Sequence, residues 1–224
     1  METVAESAPL NLLGGLVPLP LIEEAVATLC DLVTAAGGPP SGGLDARVSA
    51  LAAANRPALG AVYDAMRDSE IFRRIVTCPS LVEAARSTLG ASRLHSPFQH
   101  CVFRMDLAGE PWRGFGWHQD YPYNMLSDNY LTAWLPLTPS GAHNGSIEAV
   151  RLELSPGDVA LFHNRLVHRS GFNPGPTHRY SIQVRFGDLL APDIRSRAWR
   201  HRSADGFDTF KALHPDLVEF EEHP

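Results

Sequence analysis

Trp117-His118-Gln119-Asp120 is the stretch whose reading decides the fold, taken with His168-Arg169-Ser170 about fifty residues later. In an extended segment side chains alternate between faces, so a histidine and an aspartate two apart share one face. His168, on a later strand, would add a second imidazole. Two imidazoles and one carboxylate on one face of a metal leave coordination positions open, as in non-haem Fe(II) oxygenases. Arg179 follows His168 after a loop, and its guanidinium suits a bidentate grip on the far carboxylate of a 2-oxo acid. The spacing points to an Fe(II)- and 2-oxoglutarate-dependent oxygenase with His118, Asp120 and His168 as metal ligands.

A lone His-x-Asp occurs often by chance, and its bland reading is a surface histidine beside a turn aspartate. Trp117, Tyr121, Gly114 and Gly116 around it, and the β-rich region after it, favour the metal reading. His163 competes with His168. Ser170 decides between them: it lies two residues after His168, and a hairpin through the Gly/Pro turn brings Arg179 back beside it. Hydroxyl and guanidinium together make a seat for a carboxylate. His163 has no such partners and reads as structural or pocket-lining; His143 and His178 read as loop residues, and His100 as a pocket residue. A small residue in place of Asp120 would leave room for a halide, so the acid favours hydroxylation over halogenation.

Outward from this stretch, the first ninety residues are mostly helical. Apolar residues recur at three and four over Leu21–Ala36, and Gly37-Gly38-Pro39-Pro40 ends that run. Shorter helices are expected over Leu44–Ala54, from Pro57 through Met66, and over Leu81–Leu89, closed by Gly90. Residues 1–20 read as loop. From residue 92 the pattern becomes short strands between Gly/Pro turns: Phe98–Leu107, the His-x-Asp segment, Tyr130–Leu137, Ser146–Leu154, Val159–His163, Leu166–Ser170 and Arg179–Phe186. In the last of these Tyr180, Ile182, Val184 and Phe186 alternate with Arg179, Ser181, Gln183 and Arg185. The expectation is a mainly β chain, an antiparallel double-sheet barrel or jelly roll with N-terminal helices buttressing one face. It forms a single domain over 1–224: a helical part to 91, a β core over 92–190, and an extension from 191 with a helical turn at Asp208–Leu213.

The 224 residues are 44% hydrophobic, enough for one ordinary core, and the net charge is −6. No cluster of Lys and Arg offers a nucleic acid a basic face. Three scattered cysteines, Cys30, Cys78 and Cys101, argue against a disulfide framework and a structural zinc site and suit a cytoplasmic setting. The N-terminus lacks a basic region like that of a signal peptide, and no apolar run nears the ~20 residues that span a bilayer.

Trp117-His118-Gln119-Asp120, Asn144-Gly145-Ser146-Ile147, Pro156-Gly157-Asp158 and His168-Arg169-Ser170 through Arg179 resemble the phytanoyl-CoA dioxygenase family over roughly residues 95–190. The resemblance implies a double-stranded β-helix (a cupin-like jelly roll), Fe(II), 2-oxoglutarate as co-substrate, and release of succinate and carbon dioxide. It implies His118, Asp120 and His168 on iron, and Arg179 with Ser170 on the C5 carboxylate. It places Trp134 and Gln99 along the 2-oxoglutarate pocket. The chain departs from the family after the Asn-Gly turn, where Ala149-Val150 runs straight into Arg151-Leu152-Glu153. An acyl-CoA would want a basic groove. Arg104, Arg113, Tyr121, Tyr123, Asn124 and Arg169 suggest instead a small polar substrate, sugar-like or a natural-product (antibiotic) biosynthetic intermediate, oxidised by hydroxylation, desaturation or ring closure. Two other readings stay open: a metal-dependent cupin-like isomerase or lyase, and a non-catalytic barrel that binds a small ligand.

Overall fold

The computed structural model describes residues 10–110, 114–123, 127–149 and 152–198. Its axis is the ten-residue strand β8, Arg179–Asp188. β8 pairs on one side with β4 (Tyr130–Pro136), which pairs with β6 (Val159–His163), which pairs with β1 (Leu10–Leu13). On its other side it pairs with β3 (Val102–Asp106) and, near its end, with β2 (Leu94–His95). All these pairings are antiparallel. A second, two-stranded sheet joins β5 (Ile147–Glu148) to β7 (Arg169–Ser170).

Five helices lie between β1 and β2: α1 (Leu19–Ala35), α2 (Leu44–Ala54), α3 (Arg56–Asp68), α4 (Glu70–Val76) and α5 (Pro79–Leu89). The α1 stripe Ile22, Ala25, Leu29 and Val33 is buried, as the three-and-four spacing requires. It joins one core with Tyr180, Ile182, Val184 and Phe186 of β8, Leu131, Ala133 and Leu135 of β4, and Val159 and Leu161 of β6. The helices thus cover one face of the sheet. The opposite face of β4 and β6 presents Trp134, Ala160 and Phe162 to Ile147 of the small sheet, forming a second, smaller core. Every residue of β4 is buried because both of its faces are covered. Period-2 alternation therefore sends half of each strand into the helical core and half toward the small sheet.

Several expected boundaries differ. Residues 10–13 form a strand rather than loop, because β6 supplies the partner that the local sequence does not announce. α4 was not anticipated; the Ser69 hydroxyl accepts from Phe72 N–H and starts a new helix at once. Phe98–His100 is a 3₁₀ turn, and its strand begins only at Val102. The His-x-Asp segment is a single β-bridge, His118 to His168, rather than a strand. Ser146–Leu154 contributes β5 and a separate bridge from Leu154 to Ser140. A further helix, α6 (Pro192–Ala198), follows β8, with Ile194 buried. The turn expected at Asp208–Leu213 lies outside the described residues. None of the described helices is long and apolar enough to cross a membrane.

A partly buried polar joint ties the helical layer to the head of β8. Asp45 of α2 accepts from Tyr180 Oη at 2.7 Å and from the His178 main-chain N–H at 3.2 Å. Ala108 N–H donates to His178 Nδ1 at 3.0 Å, so Nε2 carries the proton and donates to Ser49 Oγ at 2.8 Å. His178, expected in a loop, is a buried structural residue that fixes where β8 begins. Arg179 is its neighbour.

Candidate active site

His118 and His168 form one antiparallel bridge, exchanging N–H···O bonds of 2.8 and 2.9 Å. Their rings lie 4.3 Å apart between centroids. Tyr121 N–H donates to Asn164 O at 2.9 Å, pinning the segment beyond Asp120 as well. Each imidazole turns its Nδ1 to a main-chain carbonyl: His118 to Gly116 O at 2.7 Å, His168 to Leu166 O at 2.9 Å. A carbonyl only accepts, so Nδ1 carries the proton and Nε2 presents its lone pair. Both Nε2 atoms face Asp120 Oδ1, at 3.7 and 3.9 Å. The ligand atoms of the three residues lie within 4.8 Å of one another, a grouping of the kind that holds a metal ion.

The other oxygen, Asp120 Oδ2, is held from the sheet. Thr132 Oγ1 donates to it at 2.5 Å, and Arg185 Nη2 stands 3.2 Å away. Thr132 and Arg185 are directly opposite each other in the β4–β8 ladder, so register alone brings them together. Burial pulls the Asp120 pKa upward, but the His118 hydrogen bond, the Arg185 charge and the Thr132 hydroxyl outweigh it and hold the group well below the usual carboxylate range. Burial lowers the His168 pKa and keeps that ring neutral. The hydrogen bond to Asp120 raises that of His118. An ionised carboxylate and a neutral imidazole are the forms a metal binds.

A cavity of about 230 Å³ opens over these residues. Trp134, Ser170, Arg179, Gln183 and Arg185 line it, as do Arg104 and Tyr123. A contiguous hollow of about 260 Å³ shares Ser170 and Arg179. Ser170 and Arg179 thus reach the same cavity wall, and Trp134 joins them. Gln99 does not: it is exposed on the 3₁₀ turn, because the strand expected to carry it starts three residues later. Val102 and Gln183 occupy that side of the cavity instead. His100 is also absent from the lining. His163 closes β6, its Nδ1 accepting from Arg165 N–H at 3.2 Å. Tyr121 turns away, donating to Asp128 at 2.8 Å. Arg113 and Asn124 lie outside the described residues.

Asp106, Thr132, Gln183 and Arg185 were not singled out from sequence. Asp106 faces Arg179 directly across the β3–β8 ladder. It takes hydrogen bonds from Arg179 Nη2 at 2.8 Å, Arg179 Nε at 3.2 Å and Arg104 Nη2 at 2.5 Å. Burial pushes its pKa up, but Arg179 and Arg104 more than offset this and keep it ionised. Arg179 is 3% exposed, and its Nη1 is buried without a partner among the described residues. A guanidinium so placed has a donor left for an incoming oxyanion.

No protein-family model matches the chain, and no curated protein matches it in sequence. Its fold is shared with non-haem, alpha-ketoglutarate-dependent enzymes of known structure. The epimerase SnoN of nogalamycin biosynthesis superposes with a TM-score of 0.59 at 19% identity, over 82% of this chain and 79% of SnoN. Another SnoN structure holds Fe3+, alpha ketoglutarate and nogalamycin RO. The non-haem monooxygenase ThoJ gives 0.60 at 19% identity over 82% and 75%, and EctD from S. alaskensis 0.58 at 16% over 82% and 74%.

Proposed function

We propose that the chain is an Fe(II)- and 2-oxoglutarate-dependent oxygenase of the phytanoyl-CoA dioxygenase type, a single double-stranded β-helix domain with a helical buttress. The observation that carries this reading is the convergence of His118, Asp120 and His168, tautomers set for coordination, in a cavity whose far wall holds Arg179 with a free buried N–H. His118, Asp120 and His168 would hold the iron. Arg179 and Ser170 would receive the C5 carboxylate of 2-oxoglutarate, with Trp134 as a wall. When bound, iron, 2-oxoglutarate and oxygen supply an oxidant able to break a C–H bond, with loss of succinate and carbon dioxide.

The chain's own residues supply the geometry. Thr132 and Arg185 keep Oδ2 of Asp120 turned from the metal side, leaving Oδ1 to coordinate. Asp106 fixes the plane of the Arg179 guanidinium, so the co-substrate meets a preset donor. Trp134, Ile147 and Val102 exclude water around the reacting centre. The substrate we favour is a small natural-product intermediate with polar groups for Arg104 and Arg169. Phe115 and Tyr123, which line the cavity yet remain 53% and 71% exposed, add an apolar ring face at its mouth. Free cysteines at positions 30, 78 and 101 suit a cytoplasmic enzyme.

Anaerobic addition of Fe(II) and then 2-oxoglutarate tests the reading. A visible charge-transfer band should need both and should weaken in His118→Ala and Arg179→Ala. Metal binding without any band would instead favour an isomerase or lyase that uses the same triad.

A further inference from the structure

We infer that Arg185 is a second oxyanion seat, at the metal end of the cavity and separate from Arg179. The inference rests on the proposed metal and 2-oxoglutarate site. Arg185 is 5% exposed and lines the cavity. Only Nη2 is engaged, with Asp120 Oδ2 at 3.2 Å and Gln183 Oε1 at 3.0 Å. Nε and Nη1 are buried with no partner among the described residues. Buried donors are nearly always matched, and two left open on one guanidinium mark a place for a ligand oxygen.

Charge supports the same conclusion. Arg104, Arg179 and Arg185 line the cavity against two carboxylates, Asp106 and Asp120; Arg169 is neutralised by Glu148. Asp106 serves Arg104 and Arg179 together. Arg185 has only Asp120, whose charge a bound cation would also claim. A divalent ion and a dianionic 2-oxo acid together leave the excess of one positive charge unchanged. The two arginines stand six residues apart on one strand, about 20 Å of backbone, so the far carboxylate held by Arg179 does not also satisfy Arg185. An oxyanion beside the metal does. It has two sources: the metal-end carboxylate of the 2-oxo acid, or a carboxylate or phenolate of the substrate.

Calorimetry on Mn(II)-loaded protein without oxygen separates them. The ligands are 2-oxoglutarate, 2-oxovalerate (which keeps the metal-end carboxylate but lacks the distal one), and benzoate added to the metal–2-oxoglutarate complex. If the 2-oxo acid is the source, Arg185→Gln weakens 2-oxoglutarate and 2-oxovalerate equally, roughly 10- to 100-fold, the loss expected for charged hydrogen bonds. Arg179→Gln then weakens 2-oxoglutarate alone. If the substrate is the source, Arg185→Gln spares both 2-oxo acids and abolishes benzoate binding. Arg185→Lys, which keeps the charge without the fork, restores part of either loss and serves in place of Arg185→Gln should that variant not fold. Unchanged affinity for all three ligands overturns the inference. Wild-type protein that binds Mn(II) but no 2-oxo acid overturns the proposed function instead; Arg185 is then judged on benzoate binding to the metal-loaded protein alone.

Discussion

Gly145→Ala asks whether main-chain packing holds the loop that carries Ser170. Gly145 ends the turn over residues 141–145 with φ at +74°. A Cβ there would lie 2.4 Å from Phe172 O and 2.5 Å from Gly171 O. The contact is reciprocal: Gly171 N–H donates to Ser146 O at 2.7 Å, and a Cβ on Gly171 would meet that oxygen at 2.4 Å. The two segments touch backbone to backbone, so no flexible side chain can move aside. Ordinary contact begins near 3.4 Å, and the loop must retreat by about 1 Å. Left-handed backbone costs an alanine ~1–2 kcal/mol, and overpacking adds ~1–3 kcal/mol. The sum, roughly 2–5 kcal/mol, lowers Tm by about 5–15 °C in a chain of this size. Gly90→Ala is the control: Gly90 caps α5 at φ +64° with nothing within 4 Å of its would-be Cβ. It should show the backbone cost alone, a drop of a few degrees. Differential scanning calorimetry reads both. Because Ser170 moves with Gly171, Gly145→Ala should also lose 2-oxoglutarate affinity while Gly90→Ala keeps it. Equal midpoints and equal affinities in the two variants would refute the packing argument.

Thr132→Val removes the hydroxyl on Asp120 Oδ2 without changing shape, and should weaken Mn(II) binding by ~10-fold or more by calorimetry; Thr132→Ser should restore it. His168→Ala should abolish metal binding, whereas His163→Ala, away from the cavity, should leave the dissociation constant unchanged. In the metal-free protein, burial lowers the pKa of His95, His163, His168 and His178. The unfolded chain takes up those protons first, so their stability is fully present above pH ~6.5 and declines as pH falls below it. His118, raised by Asp120, acts oppositely: its contribution is full below pH ~6.5 and is lost as pH rises through its folded value. With four groups against one, the metal-free Tm should fall between pH 7 and pH 5; a flat or rising profile would contradict the assignment.

The helices were legible because a helix writes its burial into local spacing. Ile22, Ala25, Leu29 and Val33 mark a stripe that needs no knowledge of what covers it, and Gly90 marks an end by its own conformational freedom. β1 carries no such mark. Leu10–Leu13 is a strand only because β6 lies beside it, more than 140 residues away in the chain. The His-x-Asp segment errs the other way. Its extended reading placed both side chains correctly on one side, yet only His118 pairs, and the segment is fixed by bonds to His168 and Asn164.

The site divides along the same line. His118, Asp120, His168, Ser170 and Arg179, which the structure brings to one cavity, could be grouped from sequence because their spacings are short or hairpin-like. Asp106 and Thr132 act through strand register, which sequence does not state: Asp106 opposes Arg179 and Thr132 opposes Arg185 across β8. Gln99 was misplaced by an error of a few residues in one strand's start. Arg185 is the instructive omission, since its position follows from an alternation already visible. If Arg179 opens β8 facing the cavity, every second residue faces it too, and a strand with Tyr180, Ile182, Val184 and Phe186 in the core must present Gln183 and Arg185 to the site. A polar residue on that face was therefore either a solvated surface group or part of the site. The small sheet of β5 and β7 covers this side of the major sheet, and that excludes the first.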